Sequence, residues 1–172
     1  MITTEQENLV RQEKNCPTKL HAKKIVQANK KNNNPTAVEI SRLINDFNQG
    51  LLVEAKMRAI KLTQIFPNHG MAWKVLGVIH HHEQSMEKAG EALKTAAALM
   101  PKDAEVHYNL ANFYCDSNQL EAAKAGYQKA IKLAPGLAKA HFNLAHVLKD
   151  LKQFTSAETS YRKGLKLEPQ QA

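Results

Sequence analysis

Apolar side chains recur along this chain with a period of 34 residues. Ile65, Leu99, Leu133 and Leu167 follow that step, and so do Leu76, Leu110 and Leu144. Trp73, His107 and His141 form a third column, and Ala55, Ala89, Ala123 and Ala157 a fourth. Pro67, Pro101, Pro135 and Pro169 close the successive intervals. Columns that agree on one spacing mark an internal repeat of one supersecondary unit.

Within one period the pattern predicts two helices. In the stretch AEVHYNLANFYCDS, the packing positions His107, Leu110, Ala111 and Tyr114 are offset by 3, 4 and 7 residues, which places them on one helical face. Asn118 and Gln119 interrupt the pattern, and asparagine tolerates the left-handed conformation that closes a helix. A second helix follows with Leu120, Ala123, Tyr127, Ala130, Ile131 and Leu133 inward. Pro135 ends it, because proline lacks the next donor and restricts the residue before it. Small residues fall where the two helices cross: Gly77, Ala111 and Ala145 in the first, Ala89, Ala123 and Ala157 in the second. Such residues let helix axes approach to the near end of roughly 8–10 Å.

Composition agrees with packed helices. The 172 residues are 43% hydrophobic and only 6% aromatic. The length suits one domain with a sizeable core. The net charge of +8 is unevenly spread. Arg11, Lys14, Lys19, Lys23, Lys24, Lys30 and Lys31 face three glutamates within residues 1–35. A basic arm of this kind can contact a polyanion. No aromatic residue precedes Phe47, however, so no stacking platform for bases accompanies the charge. A nucleic-acid partner is therefore not expected. Residues 5–14 and 18–31 read as short helices, Asn32-Asn33-Asn34-Pro35 as a linker, and the whole leader as partly disordered. Two cysteines without ligand spacing indicate a reducing compartment. The polar N-terminus resembles no signal peptide, and no apolar run approaches the roughly 20 residues that span a bilayer, so a cytoplasmic protein without membrane contact is expected.

The columns Trp73-Leu76-Gly77, Ala89, Ala96 and Pro101 resemble the tetratricopeptide repeat. So do His107-Leu110-Ala111-Tyr114, Ala123-Tyr127-Ala130 and Pro135, and then His141-Leu144-Ala145, Ala157-Tyr161-Gly164 and Pro169. The division is a leader at 1–35, a degenerate repeat at 36–69, and repeats at 70–103, 104–137 and 138–171. In the degenerate repeat the first-helix residues Ile40, Leu43, Ile44 and Phe47 are displaced by one place. The resemblance implies an all-α fold, a right-handed superhelical stack of antiparallel helix pairs, with the first helix of each pair lining the concave face. Nothing like a polar capping helix follows Pro169, so Leu165 and Tyr161 are expected to be exposed. Either a longer native chain or self-association through this last repeat would answer that exposure.

On the family's geometry, the groove side chains with binding chemistry are Lys74, Tyr108, Asn109, Asn112, Lys139, Phe142, Asn143, His146 and Lys149. Asn109 and Asn143 are one period apart, and a carboxamide offers both donor and acceptor to a peptide unit. That pair resembles the asparagine ladder of O-linked N-acetylglucosamine transferase repeats, although Val75 interrupts it. Lys74, Asn109 and Lys139 also match three of five places in the carboxylate clamp of chaperone-binding repeats, while Val78 and Asn143 depart from it. Tyr108 and Phe142 form an aromatic column, and the lysines would draw acidic segments. The expectation is a scaffold that binds an extended peptide or partner protein along its concave face.

Enzyme chemistry finds no purchase here. His80, His81 and His82 are consecutive, and neighbours on a helix point about 100° apart, so they cannot converge on one ion. Cys115 lacks a nucleophile motif, and no glycine-rich phosphate loop occurs. No catalytic residue, metal or cofactor is expected. The alternative is a substrate-recruiting N-terminal fragment of a larger enzyme similar to O-linked N-acetylglucosamine transferases or sulfotransferases. The segments AVEISRLINDFNQGLLVEAK, FPNHGMAWKVLG and KDAEVHYNLANFY carry that resemblance.

Overall fold

A computed structural model describes residues 34–168. The readings of the leader and of Pro169 lie outside the described residues, apart from Asn34 and Pro35. Among the described residues there are eight helices and no strand. They are α1 (Ala37–Asn48), α2 (Leu52–Ile65), α3 (Gly70–His82), α4 (Met86–Leu99), α5 (Ala104–Asp116), α6 (Leu120–Leu133), α7 (Ala138–Asp150) and α8 (Phe154–Leu167). Each helix packs on its neighbour in sequence, and the first helices also touch one another, α1 on α3 and α3 on α5. The architecture is an all-α solenoid of helix pairs.

Each first helix closes in the same way. Gly50, Gln84, Asn118 and Lys152, spaced by 34, hold φ of +74°, +59°, +56° and +60°. The amide of the following residue bonds back to the carbonyl of Asp46, His80, Tyr114 or Leu148, at 2.8–2.9 Å. This is the Schellman closure, which satisfies carbonyls the helix leaves unpaired. Helix starts are less uniform. Thr36 and Glu39 form a reciprocal capping box on α1, and Asp103 accepts from the amides of Glu105 and Val106 on α5.

The small columns sit at the centre of the packing. Ala55, Ala89, Ala111, Ala123 and Ala145 are fully buried, and Ala157 is 6% exposed. A Cβ added to Gly77 would stand 2.7 Å from Leu93 Cγ, so the approach of α4 requires glycine there. In α1 the same column holds Leu43, fully buried, with Ile40 and Phe47 packed around it. The column of Trp73, His107 and His141 does more than fill space. Trp73 Nε1 donates to Pro67 O at 2.7 Å, and the Nε2 atoms of His107 and His141 stand 3.0 and 3.1 Å from Pro101 O and Pro135 O. A carbonyl can only accept, so each histidine carries its proton on Nε2. The ring N–H thus ties the start of one pair to the proline that ends the pair before it.

The two ends of the described array differ. Ser41, Arg42 and Asn45 of α1 are exposed, and their column mates one period on are the buried Val75, Leu76 and Ile79. At the other end Phe154 is 64% and Tyr161 37% exposed, whereas Tyr127, one period before Tyr161, is 1% exposed. Leu165 is half-buried rather than open.

Two substitutions test this account. Lys152→Gly relieves a left-handed backbone at a position where a side chain adds nothing, and should raise the urea unfolding free energy by about 0.5–1 kcal/mol. His141→Phe leaves Pro135 O without its donor and should lower it by about 1 kcal/mol.

Candidate functional site

The face made by the first helices carries two cavities. The first, about 340 Å³, is lined by Ile44, Phe47 and Asn48 of α1, Met71, Lys74, Val75 and Val78 of α3, and Glu105 and Asn109 of α5. Its floor is apolar and its rim is charged. Lys74 Nζ lies 2.5 Å from Glu105 Oε2 and 3.3 Å from Asp103 Oδ2. Two carboxylates therefore answer this lysine within the chain. The loop residue Asp103 both caps α5 and holds Lys74 in place.

The second cavity, about 310 Å³, is lined by His81 of α3, Asn112, Cys115 and Asp116 of α5, Tyr127 of α6, and Asn143 and His146 of α7. A polar network organises it. Tyr127 is 1% exposed, and its hydroxyl donates to Asn112 Oδ1 at 2.7 Å. Asn143 Nδ2 donates to that same oxygen at 3.1 Å and to Tyr108 OH at 3.1 Å. Burial pushes the Tyr127 phenol far above its ordinary pKa, so the hydroxyl keeps its proton and remains a donor. Three oxygens face the Asn143 amino group, which fixes the orientation of both amides. Asn112 Nδ2 and Asn143 Oδ1 have no protein hydrogen bond among the described residues. One is a donor and the other an acceptor.

The remaining sequence-predicted residues take distinct places. Lys139 Nζ lies 4.6 Å from the Tyr108 ring centroid, a cation–π contact. Phe142 turns toward α8, with ring centroids 5.8 Å from Tyr161, and Gly164 leaves the space its ring occupies. His146 Nε2 is 3.0 Å from Tyr161 OH. Lys149 is exposed and forms no ion pair among the described residues. Asn109 and Asn143 do not share one site: Asn109 lines the first cavity and Asn143 the second. The residue that sequence reasoning missed is Tyr127. It lies on a second helix, and the groove was read from first helices alone. Its hydroxyl was the available signal, because a buried tyrosine needs a partner for it.

The histidine run diverges. His81 Nε2 pairs with Asp116 Oδ2 at 2.8 Å and His82 is exposed. His80 is buried, with Nδ1 3.5 Å from Glu83 Oε2, too long for a good hydrogen bond. No cluster of three or more His, Cys, Asp or Glu among the described residues is arranged to hold a metal. Burial, followed by the carboxylates of Asp116 and Asp150, pushes the Cys115 thiol up. A thiol held protonated is a poor nucleophile. Among the described residues no helix is long and apolar enough to cross a membrane.

Stacked helix pairs with a cavity-bearing first-helix face define a helical-repeat scaffold. Tetratricopeptide-repeat models match residues 80–128 and 138–171, and a TPR repeat model matches residues 111–152. Together they run without a gap from 80 to 171, and the chain belongs to the tetratricopeptide-repeat family. No curated protein matches it. Among solved structures, a MamA double mutant (RS-1 ArsTM) is 27% identical over 77% of this chain and 75% of that one, with a TM-score of 0.68. Another MamA crystal structure has a TM-score of 0.70 at 21% identity, over 87% of this chain and 85% of its own. A mutant O-GlcNAc transferase from Thermobaculum terrenum is 28% identical over 64% of this chain, with a TM-score of 0.61. This chain covers only 21% of that transferase. The family places the chain among protein-interaction scaffolds.

Burial holds His80 below its ordinary pKa of 6.5, aided by the nearby Lys56 charge, and burial alone does the same to His69. The unfolded chain then binds more protons than the folded one, so stability is complete above the unfolded value. It falls as pH drops through that value toward the lower folded one. Thermal melts from about pH 7.5 to about pH 5 should show the melting temperature declining, with a shallower decline in His80→Gln.

Proposed function

We propose that this array binds an extended peptide along its first-helix face, and that Asn112 and Asn143 grip one peptide unit of it. The supporting observation is the orientation of the two amides. Tyr127 and Tyr108 use up Asn112 Oδ1 and Asn143 Nδ2, leaving a donor from Asn112 and an acceptor from Asn143 at one cavity. A backbone carbonyl fits the first and a backbone N–H the second. Affinity of this kind is independent of side-chain sequence. The apolar floor of the first cavity, from Phe47 to Val78, would add preference for a hydrophobic residue. The lysine contribution comes from Lys139 and Lys149 rather than Lys74, whose charge is already answered. An acidic stretch of the ligand therefore belongs at the α7 end.

A second reading rests on the likeness to the O-GlcNAc transferase, which carries its matching part within a much longer chain. There the same groove would recruit substrates for an attached catalytic domain. The mass of the native protein separates the two readings.

A peptide selected from a random display library provides the probe. Asn112→Ala with Asn143→Ala should weaken its binding by about 1–3 kcal/mol, roughly fivefold or more, with helicity unchanged by circular dichroism. Tyr127→Phe should weaken it too, because Asn112 Oδ1 loses the hydroxyl donor that helps to fix its amide. Unaltered affinity in the double variant overturns the assignment.

A further inference from the structure

The outer face of the second helices is polar in three of the four pairs and apolar in one. On α2 the exposed residues Val53, Met57 and Ile60 are 67%, 63% and 37% accessible. One period later the same places hold Glu87, Glu91 and Lys94, then Glu121, Ala125 and Gln128, then Thr155, Thr159 and Arg162, all exposed. The other repeats therefore show what this face carries when it meets water alone. The offsets of Val53, Met57 and Ile60 are 4 and 7 residues, which makes one continuous stripe along the helix. None of the three joins the hydrophobic cores.

We infer that this stripe is a self-complementary surface on which two copies of the chain pair through α2, antiparallel about a two-fold axis near Met57. The charges beside the stripe identify the partner. Glu54 and Lys61 each follow a stripe residue, so both lie on the same flank of the helix, one near each end. Both are exposed, and neither has an ion-pair partner among the described residues. A two-fold axis perpendicular to α2 sets this flank against its own copy with the direction reversed. Glu54 then faces Lys61 of the other copy, and the contact occurs twice. A parallel pairing would place the flank on opposite sides and lose both contacts. The basic groups on the remaining sides of α2 are already engaged, Lys56 with Glu83 at 2.6 Å and Arg58 with Asp46 at 2.8 Å, so they do not compete. The face lies away from the first-helix cavities. Pairing would therefore leave both grooves open and double the valency of the scaffold, which raises avidity for a ligand that presents two segments.

Sedimentation velocity of the full chain over a range of concentrations tests this. The expected result is a monomer–dimer equilibrium that Met57→Glu weakens by about tenfold or more. Glu54→Lys alone and Lys61→Glu alone should each weaken the dimer, and the two together should restore it. Recovery by exchanging charges is an effect that misfolding cannot mimic. A chain that stays monomeric at millimolar concentration overturns the proposal, and would leave residues 1–33 or another protein as the cover for this face. A dimer that survives Met57→Glu also overturns it, and would move the contact elsewhere, such as the exposed Phe154 and Tyr161 surface. Because the stripe and the groove share no residue, peptide affinity measured on Met57→Glu reports on the groove separately.

Discussion

Close approach of helices at small side chains is the constraint on which the rest of this molecule depends. Gly77, Ala111 and Ala145 on first helices, and Ala89, Ala123 and Ala157 on second helices, bring the paired axes together. At Gly77 even a methyl has nowhere to go, because an added Cβ would stand 2.7 Å from Leu93 Cγ, and only α1, with Leu43 in this column, holds a larger residue there. Because the contact repeats every 34 residues, each pair presents its neighbour with the same geometry, and the first helices line up side by side. The cavities exist because α1, α3, α5 and α7 stand next to one another. They are products of the stacking rather than of any single repeat.

Between pairs, a second device keeps the register. The ring N–H of Trp73, His107 or His141 meets the carbonyl of the proline that closes the preceding pair. Indole and imidazole differ in size and polarity, yet both supply a flat ring with one N–H at the required place. This explains why tryptophan and histidine share a column that hydrophobicity alone would not predict. The left-handed turn column is similar: glycine, glutamine, asparagine and lysine adopt one conformation there, because the carbonyls at each helix end need the same two amides.

Function on such a scaffold comes from departures from the repeat. Tyr127 sits where the earlier repeats have Ala59 and Leu93, and its hydroxyl turns a packing position into the organiser of two asparagines. Val53, Met57 and Ile60 break the polar outer face in one repeat only. Lys74, a groove lysine by position, is withdrawn from ligand chemistry by Asp103 and Glu105. Each case is a side chain whose role depends on what another part of the chain brings against it.

Periodicity by itself determined the helix pairs, most of the packing columns and the left-handed turn at Asn118, because these follow from local geometry repeated at a fixed interval; Leu133, expected inward, is 38% exposed, and Leu167 of the same column 43%. The resemblance to the tetratricopeptide repeat, rather than the periodicity, put Asn112 and Asn143 among the expected groove residues. Only the tertiary structure decided that Asn109 and Asn143 serve different cavities, that Phe142 packs on Tyr161, and that a second-helix tyrosine orients Asn112. The physical reason is that hydrogen bonds and ion pairs between side chains join residues 15–35 positions apart. Sequence spacing places those residues on a face, but the distance and direction between their polar atoms exist only once the pairs have stacked.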